Sequence, residues 1–195
     1  MLSNLARRWS AWVVEPIARL LARLHITPNQ ATVIGCLLTS AVGVIIAFGH
    51  LRIAGIFLIV TLALDAVDGT LARMTDSVSL FGAFLDSTLD RWAEIALYFG
   101  LAWHFTQTGQ SYAVLLTMLV MATSLMVSYS RARAEGVGIP LKEGLFTRFE
   151  RLVVLVLGLI FSDLIVWALA VIAILAAVTA VQRILATRRL AESLP

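Results

Sequence analysis

A chain of 195 residues that is 60% hydrophobic and only 14% charged, with a mean hydropathy of +0.92, is too apolar for a soluble domain, in which about a quarter of residues are charged. The formal net charge of +3 comes from basic residues set in short clusters between apolar runs, and this excludes a nucleic-acid footprint. The lone Cys36 excludes an intrachain disulfide and reads as a small buried hydrophobe.

Residues 2 to 24, "LSNLARRWSAWVVEPIARLLARL", mix apolar and Arg positions at helical spacing and lack the long uncharged core of a cleaved secretory signal. An amphipathic helix lying in the membrane interface is expected, with Trp9 and Trp12 at headgroup depth. "TPNQAT" at 27 to 32 reads as a helix start, with Thr27 as N-cap and Pro28 at the first helical position, where its missing N–H costs nothing. Apolar runs of about 20 residues then predict spans at 29–48, 53–72, 80–104, 111–130, 145–162 and 164–182. "TQTGQS" at 106 to 111 and "FSD" at 161 to 163 are short outer turns, whereas "RARAEGVGIPLKEGLFTRFER" is the longest and most charged connection.

The expected fold is an all-α polytopic membrane protein: an interfacial helix over 1–26 and a six-helix transmembrane domain over 27–195. Fourteen of the 15 Lys and Arg residues fall on one side, with Arg52 alone on the other. The positive-inside rule makes the first side cytoplasmic and puts both termini there. His25, His50 and His104 are scattered near the membrane boundaries without metal-ligand spacing, and Trp92, Trp103 and Trp167 read as packing or belt residues.

Against this background "LDAVDGTLARMTDSVSLFGAFLDSTLDRW", residues 64 to 92, puts Asp65, Asp68, Asp86 and Asp90 where ionised groups are costly. Residues three or four apart share a helix face. Asp65, Asp68, Gly69 and Ala72 therefore form one stripe, and Gly82, Asp86 and Asp90 another. The short connection between them implies antiparallel neighbouring helices whose cytoplasmic halves face each other. Four converging anions require protons or cations among them. Hard divalent ions suit aspartate oxygens, and two ions about 4 Å apart could share bridging carboxylates and still grip a phosphate. Helix pairing or an ion pathway are the other uses of intramembrane Asp residues.

The stretch reads D-x-x-D-G-x-x-A-R, eight residues, then G-x-x-x-D-x-x-x-D, carried by Asp65, Asp68, Gly69, Ala72, Arg73, Gly82, Asp86 and Asp90. It resembles the signature of the CDP-alcohol phosphatidyltransferase family, matching all eight positions and both gaps. The resemblance implies transfer of a phosphatidyl group from CDP-diacylglycerol to an alcohol with release of CMP, at a site open to the cytoplasm. It implies that Asp65, Asp68, Asp86 and Asp90 bind Mg²⁺ or Mn²⁺, two ions per site, with Asp90 as ligand, general base or both. Asn29, Thr32, Asp68, Gly69, Ala72, Arg73 and Gly82 would border the donor nucleotide. Family members are commonly homodimers, and the same is expected of this chain.

For the acceptor, Arg131, Arg133, Arg148 and Arg151 stand at helix ends beside the carboxylates, and Arg suits bidentate phosphate binding. The pattern is similar to that of bacterial phosphatidylinositol-phosphate synthases, with Arg131 in place of a Lys and "TRFER" lacking a Glu and a Pro. A phosphorylated polyol is expected, inositol phosphate first and glycerol 3-phosphate as the alternative. Outside this class, the competing expectations are an ion-coupled transporter and a non-catalytic scaffold. Glu94 continues the Asp86 and Asp90 stripe and is expected to tune the site or to pair helices.

Overall fold

The computed structural model describes residues 14–141 and 144–193. Arg7, Arg8, Trp9, Trp12 and Lys142 lie outside the described residues. Among the described residues every regular element is helical: α1 (14–23), α2 (Pro28–Ala47), α3 (Leu51–Met74), α4 (Leu80–Gln107), α5 (Ser111–Gly136), α6 (Arg148–Ile160), a 3-10 turn (Ser162–Leu164) and α7 (Ile165–Ser193).

The helix limits follow local chemistry. At the start of α2, Thr27 N–H donates to Gln30 Oε1 (2.9 Å), Gln30 N–H donates to Thr27 Oγ1 (3.3 Å), and Pro28 takes the first helical position. These reciprocal bonds satisfy two N–H groups that a helix end leaves open. Ser79 caps α4 by accepting from Gly82 N–H at 3.0 Å. Thr147 and Glu150 form a second reciprocal cap, with Thr147 N–H donating to Glu150 Oε2 at 2.8 Å. That cap starts α6 at Arg148, three residues later than the apolar run at 145 suggests. Helices α5 and α7 outlast the expected spans, continuing to Gly136 and Ser193 through residues that carry Arg and Glu.

Helices α2 to α7 close into a ring in which α2 packs on α4, α4 on α5, α5 on α7, α7 on α6, α6 on α3 and α3 on α2. This corrects one expectation. Helices α3 and α4 are joined by the short segment 75–79, yet α2 lies against both, so they face each other across a gap instead of packing side by side. The tightest junction in the ring is between α2 and α4. A Cβ on Gly100 would stand 2.1 Å from the Gly43 carbonyl oxygen, and one on Gly43 would stand 2.4 Å from the Ala96 oxygen. Only glycine lets two backbones approach this closely, the small-residue packing typical of helices in lipid.

Val14 and Ala18 of α1 are buried against Val67 and Leu71 of α3, so the N-terminal helix is docked on the body. Three helical stretches, Pro28–Ala47, Ser111–Gly136 and Ser162–Glu192, are long and apolar enough to cross a membrane. Helices α3 and α4 have the length, 24 and 28 residues, but carry the acidic stripes. Helix α6, with 13 residues, spans only about 20 Å at the usual helical rise.

Candidate active site

The gap between α3 and α4, closed on one side by the start of α2, forms a cleft of about 450 Å³. All seven residues expected to border the donor, Asn29, Thr32, Asp68, Gly69, Ala72, Arg73 and Gly82, line it together with Asp86. Asp68 is 9% exposed and held at both oxygens: Thr32 Oγ1 donates to Oδ2 at 2.7 Å, and Gly69 N–H donates to Oδ1 at 2.6 Å. A buried carboxylate is costly without such donors, and here they also fix its orientation. Gly82 is where α4 meets Asn29: a Cβ there would lie 3.0 Å from Ser79 Oγ and 3.3 Å from Asn29 Oδ1. Arg73 reaches out at the end of α3, its Nη2 donating to Thr70 Oγ1 at 3.1 Å.

Asp65 and Asp90 lie deeper on the same two helices and meet through a third. Arg148 Nη1 is 2.7 Å from Asp65 Oδ2 and 2.9 Å from Asp90 Oδ2. The acidic stripes of α3 and α4 thus share a cation from the first position of α6, while Asp68 and Asp86 face the cleft. Among the described residues no group of three His, Cys, Asp or Glu side chains is drawn close enough to clasp an ion, and the Arg148 guanidinium stands between two of the four acids. Arg148 Nε is buried with no hydrogen-bond partner.

The other three arginines of the expected acceptor cluster diverge. Arg131 lines a second cavity of about 880 Å³ between α4 and α5, which shares Asp86 with the cleft, and its Nε pairs with Glu135 Oε1 at 2.9 Å. Arg133 is exposed near the end of α5. Arg151 is not presented to either cavity. It is 0% exposed, and its Nε and Nη2 donate to Glu94 Oε1 and Oε2, both at 2.9 Å. Glu94 therefore pairs helices. The Thr147-to-Glu150 spacing, a Thr-x-x-Glu box, was the sequence signal that would have started α6 at Arg148.

The profile of the CDP-alcohol phosphatidyltransferase family matches residues 25–182. The chain belongs to the CDP-alcohol phosphatidyltransferase family. This phosphatidyltransferase is 39% identical to archaetidylinositol phosphate synthase of Pyrococcus horikoshii, over 92% of this chain and 93% of that one. It is 35% identical to phosphatidylinositol phosphate synthase of Corynebacterium glutamicum, over 87% and 83%. Its fold superposes on phosphatidylinositol phosphate synthase of Mycobacterium tuberculosis with CDP-DAG bound, at a TM-score of 0.86 and 29% identity, covering 91% of this chain and 94% of the other. The same mycobacterial enzyme in complex with manganese and citrate superposes at a TM-score of 0.84, with 30% identity and 88% and 87% coverage. The enzyme reading of the chain therefore stands, and the transporter and scaffold readings fall away.

Proposed function

We propose that the chain transfers the phosphatidyl group of CDP-diacylglycerol to a phosphorylated polyol, inositol phosphate being favoured, and releases CMP. The observation that carries this reading is the single cleft that gathers Asn29, Thr32, Asp68, Gly69, Ala72, Arg73 and Gly82 beside Asp86, with Asp90 one helical turn deeper and next to Arg148. Relatives named for inositol phosphate products, similar over most of their length, favour that acceptor over glycerol 3-phosphate.

The donor set suits a divalent ion by its chemistry. Every candidate ligand is a carboxylate on one of two facing helices, and hard cations prefer such oxygens. Asp68 is already oriented by Thr32 and the Gly69 N–H, the kind of support that tunes a ligand. Asp65, Asp68, Asp86 and Asp90 would hold Mg²⁺ or Mn²⁺, two ions per site, whose charge neutralises the diphosphate.

The remaining work falls to the chain's own groups. Arg73 holds a donor phosphate oxygen by charge-assisted hydrogen bonds, and Asn29 borders the nucleotide. Asp90 takes the proton of the attacking acceptor hydroxyl. The new bond joins that oxygen to the phosphatidyl phosphorus as the bond to CMP breaks. Arg148 binds the acceptor phosphate, with Arg131 and Arg133 making its approach positive.

The domain limits and membrane placement belong to the same proposal. Residues 1–26 form the interfacial helix, residues 27–195 form six spans in the cell membrane, and both termini and the site face the cytoplasm. In lipid the exposed apolar faces allow a homodimer. The test is CMP release by the protein in nanodiscs supplied with CDP-diacylglycerol, Mg²⁺ or Mn²⁺ and a panel of acceptors. Release that needs both inositol phosphate and metal, and stops on chelation, is the expected result. A rate with glycerol 3-phosphate above that with inositol phosphate would reassign the acceptor, and no release with any acceptor would refute the reading.

A further inference from the structure

A second pair of charges crosses the ring above Asp90 and Arg148. Helix α6 packs along α3 and α7, whereas α4 stands across the interior. Arg151 and Glu94 span that interior through two parallel hydrogen bonds of 2.9 Å, and Tyr98 Oη donates to Glu94 Oε1 at 3.3 Å. Arg151, Glu94 and Tyr98 are 0%, 3% and 1% exposed.

Such a pair is a poor source of stability. Desolvation offsets most of the attraction between the charges, and apolar residues of similar volume often serve a core as well or better. Here one donor, Arg151 Nη1, is also left without a partner. What a forked guanidinium–carboxylate contact supplies is direction, because both bonds form only at one rotation and one height of the two helices.

That direction matters because of what lies one turn away. Glu94 follows Asp90 by four residues on α4, and Arg151 follows Arg148 by three on α6, so each pair of like residues shares a helix face. The contacts Asp90–Arg148 (2.9 Å) and Glu94–Arg151 (2.9 Å) are two rungs of one ladder between α4 and α6. The lower rung is at the site and the upper rung is buried.

We propose that the Glu94–Arg151 pair is a positioning device: it fixes the rotation and height of α6 on α4 so that the Arg148 guanidinium meets Asp90, and so sets the affinity for the phosphorylated acceptor. The inference rests on the reading above that Arg148 binds the acceptor phosphate. It predicts a defect confined to the acceptor side, since the donor cleft is built from α2, α3 and the start of α4.

The test uses the full chain in nanodiscs and two variants, Arg151→Lys, which keeps the charge but loses the fork, and the uncharged double variant Glu94→Leu/Arg151→Met. Acceptor KM, donor KM and thermal unfolding are measured for each. Both variants are expected to raise the acceptor KM about tenfold or more, as a misplacement of a binding group does. Donor KM should stay within about twofold, and the double variant should unfold at or above the wild-type temperature. A stable double variant with wild-type acceptor KM would show that the pair only packs, and the inference would be overturned. If the double variant does not fold, the acceptor KM of Arg151→Lys decides, and an unchanged value overturns it equally. Failure of the underlying reading looks different, because the wild type would then release no CMP with any phosphorylated polyol.

Discussion

Replacing Gly100 by Ala tests whether the crossing of α2 and α4 holds the donor cleft together. The added Cβ would stand 2.1 Å from the Gly43 carbonyl oxygen, 2.8 Å from its carbon and 3.0 Å from its Cα. All three are backbone atoms that cannot turn aside. Carbon–oxygen contacts normally begin near about 3.3 Å, so the two helices must part by roughly 1 Å. Overpacking of this kind costs about 1–3 kcal/mol and occasionally more. A built-in control lies on α2, where a Cβ at Gly35 would meet nothing within 4 Å. Gly35→Ala should gain up to ~1 kcal/mol of helix propensity. Heating matched nanodisc samples and recording the unfolding temperature should therefore move the two variants in opposite directions. Activity should fall with Gly100→Ala, because the parting carries Gly82 and Asp86 away from Asn29 and Thr32. If Gly100→Ala unfolds at or above the wild-type temperature, the crossing is not the constraint described.

Three further outcomes follow from the cleft. Asp90→Asn should abolish CMP release while CDP-diacylglycerol still binds, read by a direct binding assay in nanodiscs; turnover at the wild-type rate would remove Asp90 from the role of base. Thr32→Val keeps the side-chain shape but loses the 2.7 Å bond to Asp68, and Mn²⁺ binding measured by calorimetry should weaken about 10- to 100-fold; unchanged binding would mean that Asp68 does not need this support. Gly82→Ala puts a methyl 3.0 Å from Ser79 Oγ and 3.3 Å from Asn29 Oδ1 and should raise donor KM by up to about tenfold, equivalent to ~1.4 kcal/mol; an unaltered donor KM would show that Asn29 is free to give way.

What could be read from the chain alone was short-range. The Thr27 cap with Pro28 behind it and the apolar runs that became α2 to α7 are written within a few turns of helix, where spacing and composition decide. The acidic stripes from Asp65 to Asp90 fall on two consecutive helices, so they were legible; Asp68 and Asp86 line one cleft, while Asp65 and Asp90 meet at Arg148. The close approach of Gly43 and Gly100 was not legible, since nothing local distinguishes a glycine at a crossing from Gly35, where an added Cβ would meet nothing within 4 Å. The separation of α3 from α4 by α2 is not legible for a related reason. A short connection limits how far apart two helices can be, but a third helix can still lie against both.

The acceptor side shows the same division from the opposite direction. Arg148 meets Asp65 across 83 positions of sequence, and Arg151 meets Glu94 across 57. At those separations charge type and helix-end position could nominate four arginines but could not say which faces a ligand and which is buried. The structure divides them by depth: Arg148 stays half-open at 22% side-chain exposure, and Arg151, one turn further in, is closed off. A phosphate-binding arginine needs both freedom to meet a ligand and a fixed origin. Two arginines a turn apart on one helix meet those needs separately if the inner one fixes the helix and the outer one reaches the substrate. Changes in acceptor preference among related chains should then appear at two kinds of position, the residues that touch the polyol and the pair that holds α6 on α4. The α3 and α4 segments proposed to hold the CDP group should be left alone.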